Sequence, residues 1–147
     1  RILLKRGPLD PEEWEVMKTH TTLGLRMVEQ ITADLRLESL PDDAVLKNIV
    51  ELHHEKLDGS GYPHGLRGDA VPLEARIVSV ADMFDALTSV RPYKPAWTTD
   101  DAFDLLDRDA REGRLDRMVV DALVGCRDQI EEIRVRNPEA GSPDRVR

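Results

Sequence analysis

Two adjacent histidines, His53 and His54, end an apolar stretch and lead directly into a glycine-rich loop. Imidazole is the commonest metal-ligating side chain near neutral pH, so this pair is a candidate metal site. In the loop, Gly61 permits close approach of backbone to a ligand, Tyr62 offers a ring for stacking, and Pro63 stiffens the exit. Two histidines also suit the C-terminal dipole of a helix, and this loop also suits a plain turn, so the argument depends on their juxtaposition.

Two other segments supply further candidate ligands. His20 follows Met17 by three residues and therefore borders the apolar face of a predicted helix. Asp82 and Asp85 lie one turn apart on the margin of a later apolar face. A lone histidine in such a place is more often a core residue, and surface aspartates are common. Only the combination with the histidine pair makes these residues candidates.

The elements that position these residues are predicted to be helical, from apolar spacing and from the candidate starting residues Asp10, Thr98 or Thr99, and Asp116. Five helices are expected: Pro11 to about Gln30, Ala44–His54, Leu73–Ser89, Thr98 or Thr99 to Gly113, and Asp116 to about Ile133. Their apolar stripes include Trp14, Ile31, Leu73, Ile77, Ala81 and Cys126. The sequence contains no strand alternation, repeat or phosphate-binding loop. We predict an all-α helical bundle over residues 1–133 and a flexible tail over residues 134–147.

The composition limits the class of protein. The 147 residues are 40% hydrophobic and 34% charged, which is typical of a globular domain with a core. A net charge of −8 argues against nonspecific binding to nucleic acid or anionic membranes. The sequence has no apolar run of membrane-spanning length and no signal-peptide pattern. The single cysteine, Cys126, excludes an internal disulfide, so we expect a cytoplasmic protein.

The candidate ligands together predict a particular chemistry. His20, the histidine pair and Asp82 come from three predicted helices, and helical bundles build metal sites from facing helices in this way. Imidazole and carboxylate ligands without thiolate suit iron, manganese or zinc. Paired metal ions stabilise both oxygens of an in-line displacement, which suits hydrolysis of a phosphodiester.

The histidine pair and its loop, which reads Asp-Gly-Ser-Gly-Tyr-Pro over residues 58–63, resemble the motif of the HD-GYP family. That family comprises bacterial signalling phosphodiesterases within the wider HD phosphohydrolase superfamily. The resemblance extends from about Arg1 to Leu123. It implies a helical bundle of the HD-domain type. It also implies hydrolysis of cyclic di-GMP at a site with two or three divalent metal ions, with iron or manganese favoured over zinc.

The resemblance also implies individual roles. The implied metal ligands are His20, His53, His54 and Asp82. The implied substrate-binding residues are Arg91, Lys94, Tyr62, Gly61, Pro63 and Asp85, with Arg91 and Lys94 on the phosphates and the tyrosine loop also contacting partners. The positive charges are sensible on physical grounds, because an acidic protein must place positive charge locally to hold an anion.

One part of the family's pattern is not found in this sequence. In the family, a His-Asp dyad and a following lysine lie upstream of the segment that matches Ile2-Leu3-Leu4, and no Asp follows any of the four histidines here. No catalytic residue is therefore visible, and the metal site is incomplete. We expect N-terminal helices to be missing and the 147-residue chain alone to be inactive.

The leading hypothesis is a metal-dependent phosphodiesterase for a cyclic dinucleotide, most simply cyclic di-GMP, in bacterial second-messenger signalling. One alternative is a noncatalytic signalling module that binds nucleotide or a protein partner through the Tyr62 loop. Another is an HD-type phosphohydrolase for a different nucleotide. The expected partners are the dinucleotide and a signalling protein, with a homodimer left open and no nucleic acid or membrane segment.

Overall fold

The computed structural model describes residues 2, 5, 7–36, 42–90 and 95–136, and every regular element in these ranges is helical. The α-helices are α1 Pro11–Asp34, α2 Asp43–Leu52, α3 Leu73–Thr88, α4 Thr99–Arg111, α5 Arg117–Gly125 and α6 Arg127–Arg136. A 3-10 turn, Gly68–Ala70, precedes α3. The predicted all-α class is confirmed. None of these helices combines the length and apolar character needed to span a bilayer.

The helix starts follow from local capping chemistry. The Asp10 carboxylate accepts a hydrogen bond from the Glu13 amide at 2.9 Å, and the Glu13 carboxylate accepts one from the Asp10 amide at 2.9 Å. This capping box satisfies two amides that the helix itself leaves unpaired. Thr98 accepts from the Asp101 amide at the start of α4, and Asp116 accepts from the Met118 amide at the start of α5. All three caps were predicted from the sequence.

The chain divides into two compact units, residues 1–79 and residues 80–147. The first unit has a small apolar cluster of Leu52, Val71 and Ala75, with Leu57 and Leu66 packed against it. The second unit has a larger cluster: Val80, Phe84, Leu87, Ala102, Phe103, Leu106, Leu115 and Val120. The predicted boundary between a domain and a tail at residue 134 stays a prediction, although α6 continues to Arg136.

In α1, the predicted buried stripe was partly wrong. Trp14 and Ile31 are about half exposed, and the fully buried residues of this helix are Thr21 and Thr32. A Cβ on Gly24 would lie 2.8 Å from the Val50 side chain, so α1 approaches α2 closely at this glycine. That close approach turns the threonine face inward, and apolar residues on the other faces remain exposed.

In α3, three residues of the predicted stripe, Leu73, Ile77 and Ala81, are exposed. Ala75 and Ser79 are buried instead in the part of α3 that belongs to the first unit. Ala75 packs with the loop before the helix, and this tertiary contact sets the buried face.

The predicted last helix is two helices, because the chain turns at Cys126 between α5 and α6. The Cys126 amide donates to the Leu123 carbonyl at 3.0 Å, which closes the last turn of α5. Cys126 is exposed, so its assignment to the core was wrong. The helix α2 also ends earlier than predicted, with His53 as its C-terminal cap and His54 just outside it.

Candidate metal centre

Three histidines from two helix regions lie together in the first unit. The ring centroids of His53 and His54 are 4.2 Å apart, and the His20 ring lies 5.6 Å from the first and 5.1 Å from the second. One ring nitrogen from each lies within 4.8 Å of the other two. This spacing allows three imidazoles to bind one ion. Three of the four predicted ligands are thus described at one place.

Two of the three rings are oriented by hydrogen bonds to their own helices. His20 Nδ1 lies 2.6 Å from the Met17 carbonyl oxygen, and His53 Nδ1 lies 2.9 Å from the Ile49 carbonyl oxygen. A carbonyl only accepts, so each Nδ1 carries the proton and donates. In the neutral form of either ring this leaves Nε2 with its lone pair, as metal-ligating histidines are commonly arranged.

The third ring is held neutral by its surroundings. Burial lowers the pKa of His54 from 6.5 to about 3, and repulsion from His53, His20 and Lys56 acts in the same direction. An imidazole in this environment is unprotonated at neutral pH. The neutral form is the one that binds a metal ion, so the donor set fits a divalent cation.

Glu55, directly after the histidine pair, anchors the loop that follows. Its carboxylate is only 2% exposed and accepts hydrogen bonds from the amides of His64 at 2.6 Å, Gly65 at 3.2 Å and Leu66 at 2.9 Å. A buried carboxylate is stable when it is satisfied by several donors in this way. This role of Glu55 was not predicted from the sequence. The sequence signal that could have indicated it is the position of this acidic residue, between an apolar helix and a glycine-rich loop whose amides need acceptors.

The loop also packs tightly against the backbone of its own first residues. A Cβ on Gly61 would lie 2.3 Å from the Lys56 nitrogen and 2.5 Å from the Glu55 Cα, so only glycine fits there. The next peptide bond, between Tyr62 and Pro63, is cis. The Tyr62 amide donates to the His54 carbonyl at 3.2 Å. The loop therefore returns directly to the histidines.

This return places an aromatic ring beside the cluster. The Tyr62 ring centroid lies 4.8 Å from that of His54 and 6.3 Å from that of His20. Trp14, from the first turn of α1, meets Tyr62 edge to face at 5.9 Å. The sequence analysis assigned Trp14 to the core, and only its tertiary position brings it to the site.

The remaining predicted site residues have different outcomes. Asp82 and Asp85 are exposed on the part of α3 that belongs to the second unit, and the Ser89 hydroxyl donates to Asp85 at 3.2 Å. The convergence of Asp82 with the histidines stays a prediction. Arg91 and Lys94 lie outside the described residues.

Comparison with known proteins gives a consistent result. A model of the HD domain matches residues 1–119. The cyclic di-GMP phosphodiesterase response regulator RpfG of Xanthomonas campestris is 46% identical over 140 residues, covering 90% of this chain and 33% of the relative. A cyclic di-GMP phosphodiesterase of Thermotoga maritima is 46% identical over 103 residues, covering 70% of this chain and 26% of the relative.

A relative with a different named substrate also matches. The 3'3'-cGAMP-specific phosphodiesterase 2 of Vibrio cholerae is 37% identical over 139 residues, covering 94% of this chain and 25% of the relative. The chain thus spans a third or less of the length of these three curated relatives.

Proposed function

The chain belongs to the HD domain family, and from this premise we propose that its complete gene product binds divalent metal ions and cleaves a phosphodiester bond of a cyclic dinucleotide. The observation that carries the proposal is the group of three imidazoles, whose ring nitrogens lie within 4.8 Å of one another. Two of these rings have the tautomer that leaves Nε2 for a metal, and the third is neutral. Three imidazoles this close together can supply nitrogen ligands to one divalent ion.

The ligands of the proposed site are His20, His53 and His54, with Asp82 as the carboxylate member. A bound divalent ion polarises a phosphoryl oxygen and stabilises the charge that develops on it during displacement. The protein contributes by holding the imidazoles in place, since the Met17 and Ile49 carbonyls fix two of the rings. This fixed arrangement lowers the cost of ordering the ligands when the metal binds.

The Tyr62 loop is proposed to form the substrate side of the site. Its backbone returns to His54, and its ring lies beside two of the proposed ligands. Arg91 and Lys94 are proposed to hold phosphate groups, because the protein carries a net charge of −8 and an anionic substrate needs local positive charge. Metal binding and substrate selection are thus assigned to different groups of residues.

Cyclic di-GMP is the first substrate to test, since it is named for the two relatives that are 46% identical. The name of the Vibrio cholerae relative supports 3'3'-cGAMP as a second candidate. Both molecules are cyclic purine dinucleotides, so the proposed chemistry at the phosphodiester is the same.

The test compares histidines inside and outside the cluster. His53→Ala removes a proposed ligand, whereas His64→Ala removes an exposed histidine that pairs with Glu51 at 2.9 Å. Loss of one ligand is expected to weaken metal affinity by at least about 10–100-fold, the usual loss for a metal's supporting residues. Metal content is measured by elemental analysis after loading with iron or manganese.

Hydrolysis of both dinucleotides is then followed by chromatography on the complete gene product. We expect His53→Ala to lose metal and activity and His64→Ala to keep both. Equal metal content in the two variants would refute the site. If the wild-type protein has its full metal content but yields no product from either dinucleotide, the result would instead favour a binding module.

A further inference from the structure

We propose that Trp14 is the surface on which a purine base of the dinucleotide stacks. The inference rests on the proposed function and deepens it, because it assigns base recognition to a residue outside the loop motif. It starts from an aromatic row that leads away from the metal site: the His54 ring, then Tyr62 at 4.8 Å, then Trp14 at a further 5.9 Å. If a phosphate of the dinucleotide binds at the histidines, its base lies some distance from them, as Trp14 does.

Trp14 is more available for stacking than Tyr62. The two rings Tyr62 and His54 are inclined by only 33°, so the tyrosine uses much of one face in packing on the histidine. Trp14 meets Tyr62 with an interplanar angle of 82°, which is an edge-to-face contact. The tryptophan is 46% exposed, an unusual degree for a large aromatic residue beside a polar cluster. Nearly half of the tryptophan surface therefore remains accessible beside Tyr62.

The backbone that carries Trp14 is held by a capped first turn. It lies in the first turn of α1, where the Asp10 and Glu13 carboxylates each accept an amide of that turn. Lys5 pairs with Glu13 at the same place. The Trp14 amide donates to the Asp10 carbonyl at 2.9 Å, so the backbone of the tryptophan is part of this capped turn. A preorganised aromatic surface binds a base without the cost of ordering it first.

The geometry also predicts which bases are accepted. Every base has a π-face, so stacking on an indole tolerates different bases and responds mainly to ring size. Trp14 is thus expected to favour purines over pyrimidines and to treat guanine and adenine alike. Discrimination between cyclic di-GMP and 3'3'-cGAMP would then come from other residues.

The experiment measures binding rather than turnover. Phosphorothioate analogues of cyclic di-GMP and 3'3'-cGAMP, and cyclic di-UMP as the pyrimidine ligand, are titrated by calorimetry into the metal-loaded complete gene product. Trp14→Ala is compared with Trp14→Phe, which keeps a ring, and with Met27→Ala, which truncates a 66% exposed residue of the same helix. The 147 residues have two tryptophans, so Trp97→Phe, together with Phe at any tryptophan elsewhere in the complete gene product, leaves Trp14 as the only tryptophan fluorophore.

We expect Trp14→Ala to weaken binding of both purine dinucleotides by roughly 5- to 150-fold, the effect of losing one base–aromatic stack. Trp14→Phe should recover most of the affinity, Met27→Ala should match the wild type, and cyclic di-UMP should bind weakly throughout. In Trp97→Phe, purine dinucleotides should quench the Trp14 fluorescence. Because this arm leaves Trp14 intact, it remains decisive if Trp14→Ala does not fold.

Two outcomes separate the two proposals. If the wild-type protein binds the purine dinucleotides but Trp14→Ala binds them equally, or if Trp14 is not quenched, the stacking inference alone is wrong. If the wild-type protein binds no dinucleotide, the proposed function is wrong and the inference falls with it.

Discussion

Replacement of Glu55 by glutamine tests whether one buried carboxylate holds the loop that reaches the histidines. One carboxylate oxygen accepts from the amides of His64 and Gly65, and the other accepts from the amide of Leu66. Glutamine has nearly the same shape, but one of its two ends is a donor. With its oxygen toward the first two amides, its NH₂ group faces the Leu66 N–H, donor against donor.

The cost follows from these three contacts. Leaving the Leu66 N–H without an acceptor costs about 1–3 kcal/mol, and each of the other two bonds loses roughly 1 kcal/mol when its acceptor becomes neutral. We therefore expect Glu55→Gln to lower the free energy of unfolding by about 3–5 kcal/mol. That is a large fraction of the roughly 5–15 kcal/mol of a typical domain.

The assay is denaturant unfolding followed by circular dichroism, with hydrogen exchange of the His64 and Leu66 amides as the local measurement. Glu51→Gln is the matched control, since Glu51 also contacts His64 but through a single, more exposed pair. That control should change stability by less than about 1 kcal/mol. If Glu55→Gln unfolds like Glu51→Gln and its loop amides stay equally protected, the anchoring role is wrong.

Two further predictions concern the same region. Gly61→Ala should lower the free energy of unfolding by about 3 kcal/mol, the upper range for overpacking, because its Cβ would meet backbone atoms of Lys56 and Glu55. Gly125→Ala is the control, since a Cβ there has nothing within 4 Å. Equal unfolding midpoints of the two variants in denaturant would contradict the packing argument. In the metal-free protein, the contribution of His54 to stability should be complete above pH 6.5 and be lost as the pH falls from 6.5 toward about 3. The reason is that the unfolded chain protonates His54 at a higher pH than the folded chain does. His54→Asn should have a shallower pH dependence over that window in unfolding titrations with chelator present, and an unchanged slope would refute the neutral, desolvated histidine.

Much of the local structure and the family resemblance were predictable from the sequence. The caps at Asp10, Thr98 and Asp116 were identified from residue type, and all three make the expected hydrogen bonds. The predicted resemblance to the HD-GYP phosphodiesterases agrees with the HD domain match and with the relatives' names. These features depend on residues only a few positions apart or on a contiguous motif.

The buried faces were less predictable. Trp14 and Ile77 have the right spacing for a core stripe, yet both are about half exposed. Thr21 is fully buried although it is polar. A helix with apolar residues on several faces is compatible with several orientations, and the partner helix or loop selects among them.

The amino-acid sequence sufficed for the helical class, for the starts of several helices, and for a histidine pair followed by a glycine-rich loop. The grouping of His20 with this pair was implied by the family resemblance, and the structure gives its distances. The three loop amides on Glu55 and the contact of Trp14 with Tyr62 are seen only in the folded chain. These contacts join residues that are distant along the chain. Caps and turns are set by interactions within about four residues. A site built from α1 and the residue 53–66 region depends instead on how closely two helices pack, and that packing is limited at one point by Gly24.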